Sequence, residues 1–171
     1  MISNRVAVLL AARGIHYGWV VAATTFLAML ATAGAMGSAG VLILPLEQEF
    51  GWSTAEISAA MAIRLMLFGL LGPFAAALMN YFGIRAVTAT ALCITAGGLL
   101  LSLFMTELWQ LVAIWGVVIG VGTGMTALVL GATVAVRWFD KRRGLIVGLM
   151  TASNATGQLV FLPLLASITE A

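Results

Sequence analysis

One charged side chain stands in the middle of an apolar run. Arg64 is preceded by TAEISAAMAI and followed by LMLFGLLGPFAAALM. Placing arginine deep in a hydrocarbon-facing helix costs about 2.5–3.5 kcal/mol on insertion scales. Two readings account for it. As a fixed positive charge it attracts an anionic substrate or pairs with a carboxylate from another helix during gating. As a snorkelling side chain it reaches for the outer interface. A second group of polar residues lies further on. Thr151, Asn154 and Gln158 occur at i, i+3 and i+7, on one helical face, with Asn154 and Gln158 about halfway along an apolar segment. Thr25 and Thr32 are seven residues apart in the first apolar segment, with Met29 and Met36 near the same stripe. These side chains either line a cavity at the bilayer midplane or bond helix to helix, and each threonine hydroxyl can also bond a carbonyl of its own helix. Arg64, Asn154, Gln158, Thr151, Thr25 and Thr32 are therefore the candidate substrate and cavity residues.

Enzyme chemistry finds no footing here. His16 is the sole histidine, Cys93 the sole cysteine, and no paired carboxylates occur within an apolar segment. No catalytic triad, metal-ligand cluster or disulfide can be assembled, so neither metal nor cofactor is expected. A formal charge of +2 is too small to suggest nucleic-acid binding.

The elements that must hold these residues follow from composition. Of 171 residues, 63% are apolar and only 8% are charged. A water-soluble monomer cannot cover its outside with so few polar groups, and disorder needs the opposite composition. The bilayer is the remaining solvent. About 20 apolar residues cross it as a helix, and five such segments are legible: residues 17–46, 54–79, 86–104, 108–136 and 144–168. Ser53 with Glu56 reads as a capping box opening the second. Residues 1–16 are expected to be an uncleaved amphipathic lead-in, and residues 169–171 an outer-side end.

Charge gives direction. Arg5, Arg13, Arg85, Arg137, Lys141, Arg142 and Arg143 all fall on one side of a five-span path, and Glu47, Glu49, Glu56, Glu107 and Glu170 on the other. The positive-inside rule then puts the amino terminus in the cytoplasm and makes this a multi-pass protein of the cell membrane, inner or plasma. The cluster Lys141, Arg142 and Arg143 chiefly fixes topology. Gly116, Gly120 and Gly124 form overlapping small-xxx-small steps in the fourth segment, which let another backbone approach closely.

At the turn between the second and third segments the residues resemble the loop signature of the major facilitator superfamily. That pattern runs Gly, three residues, Asp, a basic residue, one residue, Gly, one residue, a basic residue. Gly83 and Arg85 match it, whereas Ala76, Asn80 and Tyr81 depart. The missing Asp removes a negative partner at the inner gate, although Asn80 can still hydrogen-bond. Three further stretches are similar to the monocarboxylate and oxalate–formate type transporters. They are Gly18-Trp19-Val20-Val21, then Glu49-Phe50-Gly51-Trp52-Ser53, and Arg137-Trp138-Phe139-Asp140-Lys141-Arg142-Arg143-Gly144 followed by Gly148, Ser153, Gly157 and Pro163. The antiporter signature is not met, because Phe161 and Leu162 stand where Gly-Pro belongs.

The resemblance implies an all-α integral membrane protein with five transmembrane helices, an incomplete amino-terminal half of a twelve-helix major facilitator fold. It implies a cytoplasmic gate built by Asn80, Gly83, Arg85 and Arg137. It also implies a secondary active transporter of small organic anions such as monocarboxylates, proton-coupled or exchanging. The partners expected are an anionic small molecule, the lipid bilayer, and the missing carboxy-terminal helices or a partner chain. A non-transporting membrane scaffold or assembly subunit is the alternative. It explains the glycine stripes, but neither Arg64 nor the loop signature.

Overall fold

The computed structural model describes residues 17–126 and 128–169, and every regular element among them is helical. The lead-in read over residues 1–16 lies outside the described residues. In chain order the helices are α1 (Gly18–Val41), α2 (Ile43–Phe50), α3 (Thr54–Leu70), α4 (Gly72–Phe82) and α5 (Ile84–Ser102). Then come α6 (Leu108–Leu111), a π-helical segment (Val112–Val118), α7 (Ile119–Met125), α8 (Leu128–Trp138) and α9 (Arg143–Thr169).

Four stretches are long and apolar enough to cross a membrane: Gly18–Gly37, Ile84–Ser102, Leu108–Trp138 and Arg143–Leu164. The pair α3 and α4 makes a fifth if counted as one span, bent by 51°. The outside of the bundle is apolar: Leu27, Met66, Phe74, Leu100, Phe104 and Leu159 are all exposed. A surface of that kind belongs in lipid.

Prolines explain two departures from straight spans. Pro73 has no N–H to offer the carbonyl four residues back, so α3 ends at Leu70 and α4 starts afresh with proline in its first turn. Pro45 likewise cannot bond Val41, and the segment read as 17–46 divides at Leu42. The segment read as 108–136 extends to Trp138 and is not uniformly α. It opens with Glu107 and Gln110 as a capping box, passes through the π segment, and shifts at Thr126, whose N–H bonds Thr123 O at 3.2 Å. The capping box at the start of α3 is present: Ser53 N donates to Glu56 Oε2 at 2.9 Å, and Glu56 N donates to Ser53 Oγ at 3.4 Å. Thr54 Oγ1 donates to Glu47 Oε1, tying α3 to α2.

Glycine brings the helices together. A Cβ built on Gly116, Gly120 or Gly124 would lie 3.2 Å from Ala60 O, 3.3 Å from Arg64 Cα and 3.2 Å from Leu67 O respectively. The fourth span therefore rests its glycine stripe on the backbone of α3. On its other side Gly122 abuts Thr95 and Ala91 of α5. Helices α1 and α9 pair along much of their length. Gly157 faces Leu30 O, where a Cβ would come to 2.6 Å, and Gly34 faces the ring of Phe161. Two buried apolar clusters result. One gathers Met29, Met79, Leu130, Val134 and Met150 near the end that carries Arg137. The other gathers Leu46, Ile57, Met105, Trp115 and Ile119 near the end that carries Glu47.

Candidate functional site

The contact of the fourth span with α3 presses Arg64 inward. The side chain is 2% exposed, and its Nη2 donates to Ala35 O of α1 at 2.8 Å. The guanidinium carbon lies 5.8 Å from the ring centroid of Trp115, within cation–π range. Arg64 Nε, Arg64 Nη1 and Trp115 Nε1 are buried and have no hydrogen-bond partner among the described residues. The Arg64 side chain turns to a neighbouring helix and does not reach along its own helix toward an interface.

The other cavity residues are distributed unevenly. Asn154 and Thr32 share a void of about 10 Å³ with Met36, Phe68, Thr123 and Thr126. That volume is close to the least that holds one water, so this void has no room for a carboxylate substrate. Gln158 Nε2 donates to Asn154 Oδ1 at 3.2 Å, and Gln158 packs against Gly37. Thr32 returns its hydroxyl to Ala28 O and Met29 O, while Thr123 and Thr126 do the same within α7. These hydroxyls aim at their own backbone and not at the void. Thr25 lies elsewhere, in a cavity of about 390 Å³ between α1 and α5 with Tyr17, Thr24, Arg85 and Thr88. Thr151 is exposed and bonds Val147 O at 3.0 Å. Thr32 and Asn154 therefore share one void, with Gln158 bonded to Asn154; Arg64 and Thr25 are buried elsewhere, and Thr151 is exposed.

The four residues read as a gate sit at the end that carries Arg137. Arg137 Nη2 donates to Asn80 Oδ1 at 2.9 Å, across 57 residues of chain. The amide occupies the position where the superfamily signature has a carboxylate, and it engages the cation as a neutral acceptor. Gly83 takes φ +88°, a left-handed turn that an L side chain rarely adopts, and lets α5 follow α4 at once. Arg85 and Arg137 line one cavity of about 560 Å³ with Tyr17, Phe82 and Trp138. Among the described residues no group of three or more His, Cys, Asp or Glu could hold a metal ion.

Trp115 and the Ala35 carbonyl were not singled out from the sequence. A tryptophan N–H within an apolar span is a signal in itself, since a buried indole seeks an acceptor. Its meeting with Arg64 depends on the π segment, for which the sequence gives no cue.

Membrane-spanning helices, glycine-mediated contacts and a buried cation define a polytopic membrane bundle. The model of the Major Facilitator Superfamily matches residues 21–170, and the chain belongs to that superfamily. It is 29% identical over 156 residues to Monocarboxylate transporter 9 of Gallus gallus, covering 90% of this chain and 30% of the relative. It is 31% identical over 150 residues to Monocarboxylate transporter 13 of Bos taurus, covering 86% and 34%. It is 31% identical over 148 residues to Uncharacterized transporter ESBP6 of Saccharomyces cerevisiae, covering 85% and 22%. The chain spans about a third or less of the length of these curated relatives.

Proposed function

We propose that this chain forms part of a secondary active transporter for small organic anions, monocarboxylates foremost, driven by protons or by exchange. The observation that carries the reading is Arg64. A guanidinium held inside an apolar bundle costs several kcal/mol of desolvation unless its charge is used, and two of its nitrogens have no acceptor among the described residues. A substrate anion arriving between helices meets an unspent charge in a low-dielectric setting, where attraction is strong. Membership of the superfamily and the names of the relatives support transport as the activity. Asn154, Gln158 and Thr32 act as neutral polar lining close by. Asn80, Gly83, Arg85 and Arg137 act as the gate at the basic end, which faces the cytoplasm, the protein lying in the cell membrane with its amino terminus inside.

Uptake of labelled lactate and acetate into vesicles carrying the protein tests this. Arg64→Ala with normal membrane insertion abolishes uptake if the reading holds. Unchanged uptake kinetics across several anions would remove Arg64 from the path and leave the scaffold reading in its place.

A further inference from the structure

Two neighbouring side chains hold three buried N–H groups that have no acceptor among the described residues: Nε and Nη1 of Arg64 and Nε1 of Trp115. Their side chains are 2% and 3% exposed, so bulk water does not serve them. Unmade bonds of this kind are costly, and native proteins rarely tolerate them. The set has a definite character. All three are donors, one side chain carries a full positive charge, and the buried residues clustered with Trp115, Ile57, Ala60 and Ile119 among them, are apolar. No described acid reaches them. Glu56 is two turns away on α3, held by the Ser53 cap, and Glu47 is bonded to Thr54. A carboxylate fits such a set. It brings one negative charge and two oxygens, each able to accept at about 2.9 Å, so one carboxylate can serve two of these donors at once.

A second observation points to the same place. Trp115 is at the centre of the π-helical segment Val112–Val118, and its neighbour Gly116 rests on Ala60 O. Segments of π geometry are rare and recur at functional sites. The indole of this segment lies under the guanidinium of Arg64.

We propose that Arg64 and Trp115 together form a carboxylate-binding point, the carboxylate accepting from the N–H groups that Ala35 leaves unused and from the indole N–H. The choice of anion rests on the transporter reading above. The carboxylate comes either from a free monocarboxylate or from an Asp or Glu side chain outside the described residues. Because both side chains are sealed in this conformation, loading requires α1 to withdraw the Ala35 carbonyl from Nη2.

The test is the indole N–H resonance of Trp115 in protein labelled with 15N-tryptophan and held in lipid nanodiscs, assigned with Trp115→Phe. Sodium acetate is titrated against sodium chloride at equal ionic strength. A saturable shift that Arg64→Gln abolishes identifies a free carboxylate. A resonance already in the hydrogen-bonded range, deaf to acetate but moved by acidification through the carboxyl range and by Arg64→Gln, identifies a protein carboxylate. A resonance that ignores acetate, pH and Arg64→Gln alike overturns the proposal. Should Arg64→Gln fail to fold, acetate affinity of Trp115→Phe against the unaltered protein, both measured by isothermal titration calorimetry, decides. Weakening of about tenfold is expected from loss of one hydrogen bond to a charged acceptor, and unaltered affinity overturns the share given to Trp115. Binding that persists in a protein without uptake would leave the site standing while the transporter reading falls.

Discussion

Arg64 and Arg137 make almost the same bond in two different media. Each donates through Nη2 to an oxygen, at 2.8 Å and 2.9 Å. Arg64 is sealed and uses a backbone carbonyl, whereas Arg137 is exposed and uses the side chain of Asn80. For Arg137 water competes for both partners and the net gain is small. For Arg64 nothing competes, and the groups left over are costly. The contrast separates a charge retained in spite of its cost from a charge placed where it costs little. The first is buried with little to offset its desolvation, and the second is solvated and makes one modest contact.

Neutralising each arginine in turn breaks the comparison most directly. Arg64→Gln is expected to lower uptake by about a hundredfold or more, the scale of a lost charged hydrogen bond in a dry site. Arg137→Gln is expected to lower it by less than about fivefold, as befits an exposed contact. Comparable losses would erase the distinction. Packing comes next. Gly120→Val drives new methyl groups into the backbone of α3 at Arg64, costing about 1–3 kcal/mol, read as lower thermal stability in detergent. Gly148→Ala meets no neighbouring atom within 4 Å, and is expected to be neutral or to stabilise by up to about 1 kcal/mol. At the other end Gly83→Ala must hold φ +88° and is expected to cost about 1–2 kcal/mol through conformation alone. The smallest effect belongs to Asn80→Asp. It turns the contact with Arg137 into an ion pair, favouring the present conformation by under about 1 kcal/mol. The gain should fade as salt is raised from 0.05 to 0.5 M in a thermal-stability series, roughly as screening predicts.

The all-helical membrane class was legible in the sequence because lipid imposes it: apolar runs of sufficient length have few alternatives. The start of α3 was legible too, since Ser53 and Glu56 satisfy each other locally. The bend between α3 and α4 was readable from Gly72-Pro73, yet the apolar run around it reads through without pause. The π segment carries no local signature, and with it the meeting of Trp115 and Arg64 stayed hidden. The same holds for Arg137 and Asn80, whose pairing spans 57 residues and depends on how α4 and α8 dock. The periodicity that groups Thr151 with Asn154 and Gln158 is correct for one helix. It cannot tell that Thr151 is exposed and returns its hydroxyl to Val147 O, while the neighbouring Met150 packs inward with Met29.

The bend at Leu71 has a mechanical consequence. A straight rod would carry any displacement of Asn80 to Arg64 as a rigid translation. With the hydrogen-bond ladder interrupted beside Pro73, the second span is an elbow, and its two arms pivot about a single residue. The Arg64 arm rests on the fourth span at Gly116, Gly120 and Gly124, and the Asn80 arm buries Ala75 and Met79 beside Leu130 and Val134 further along it. One span thus docks on another at two separate tilts.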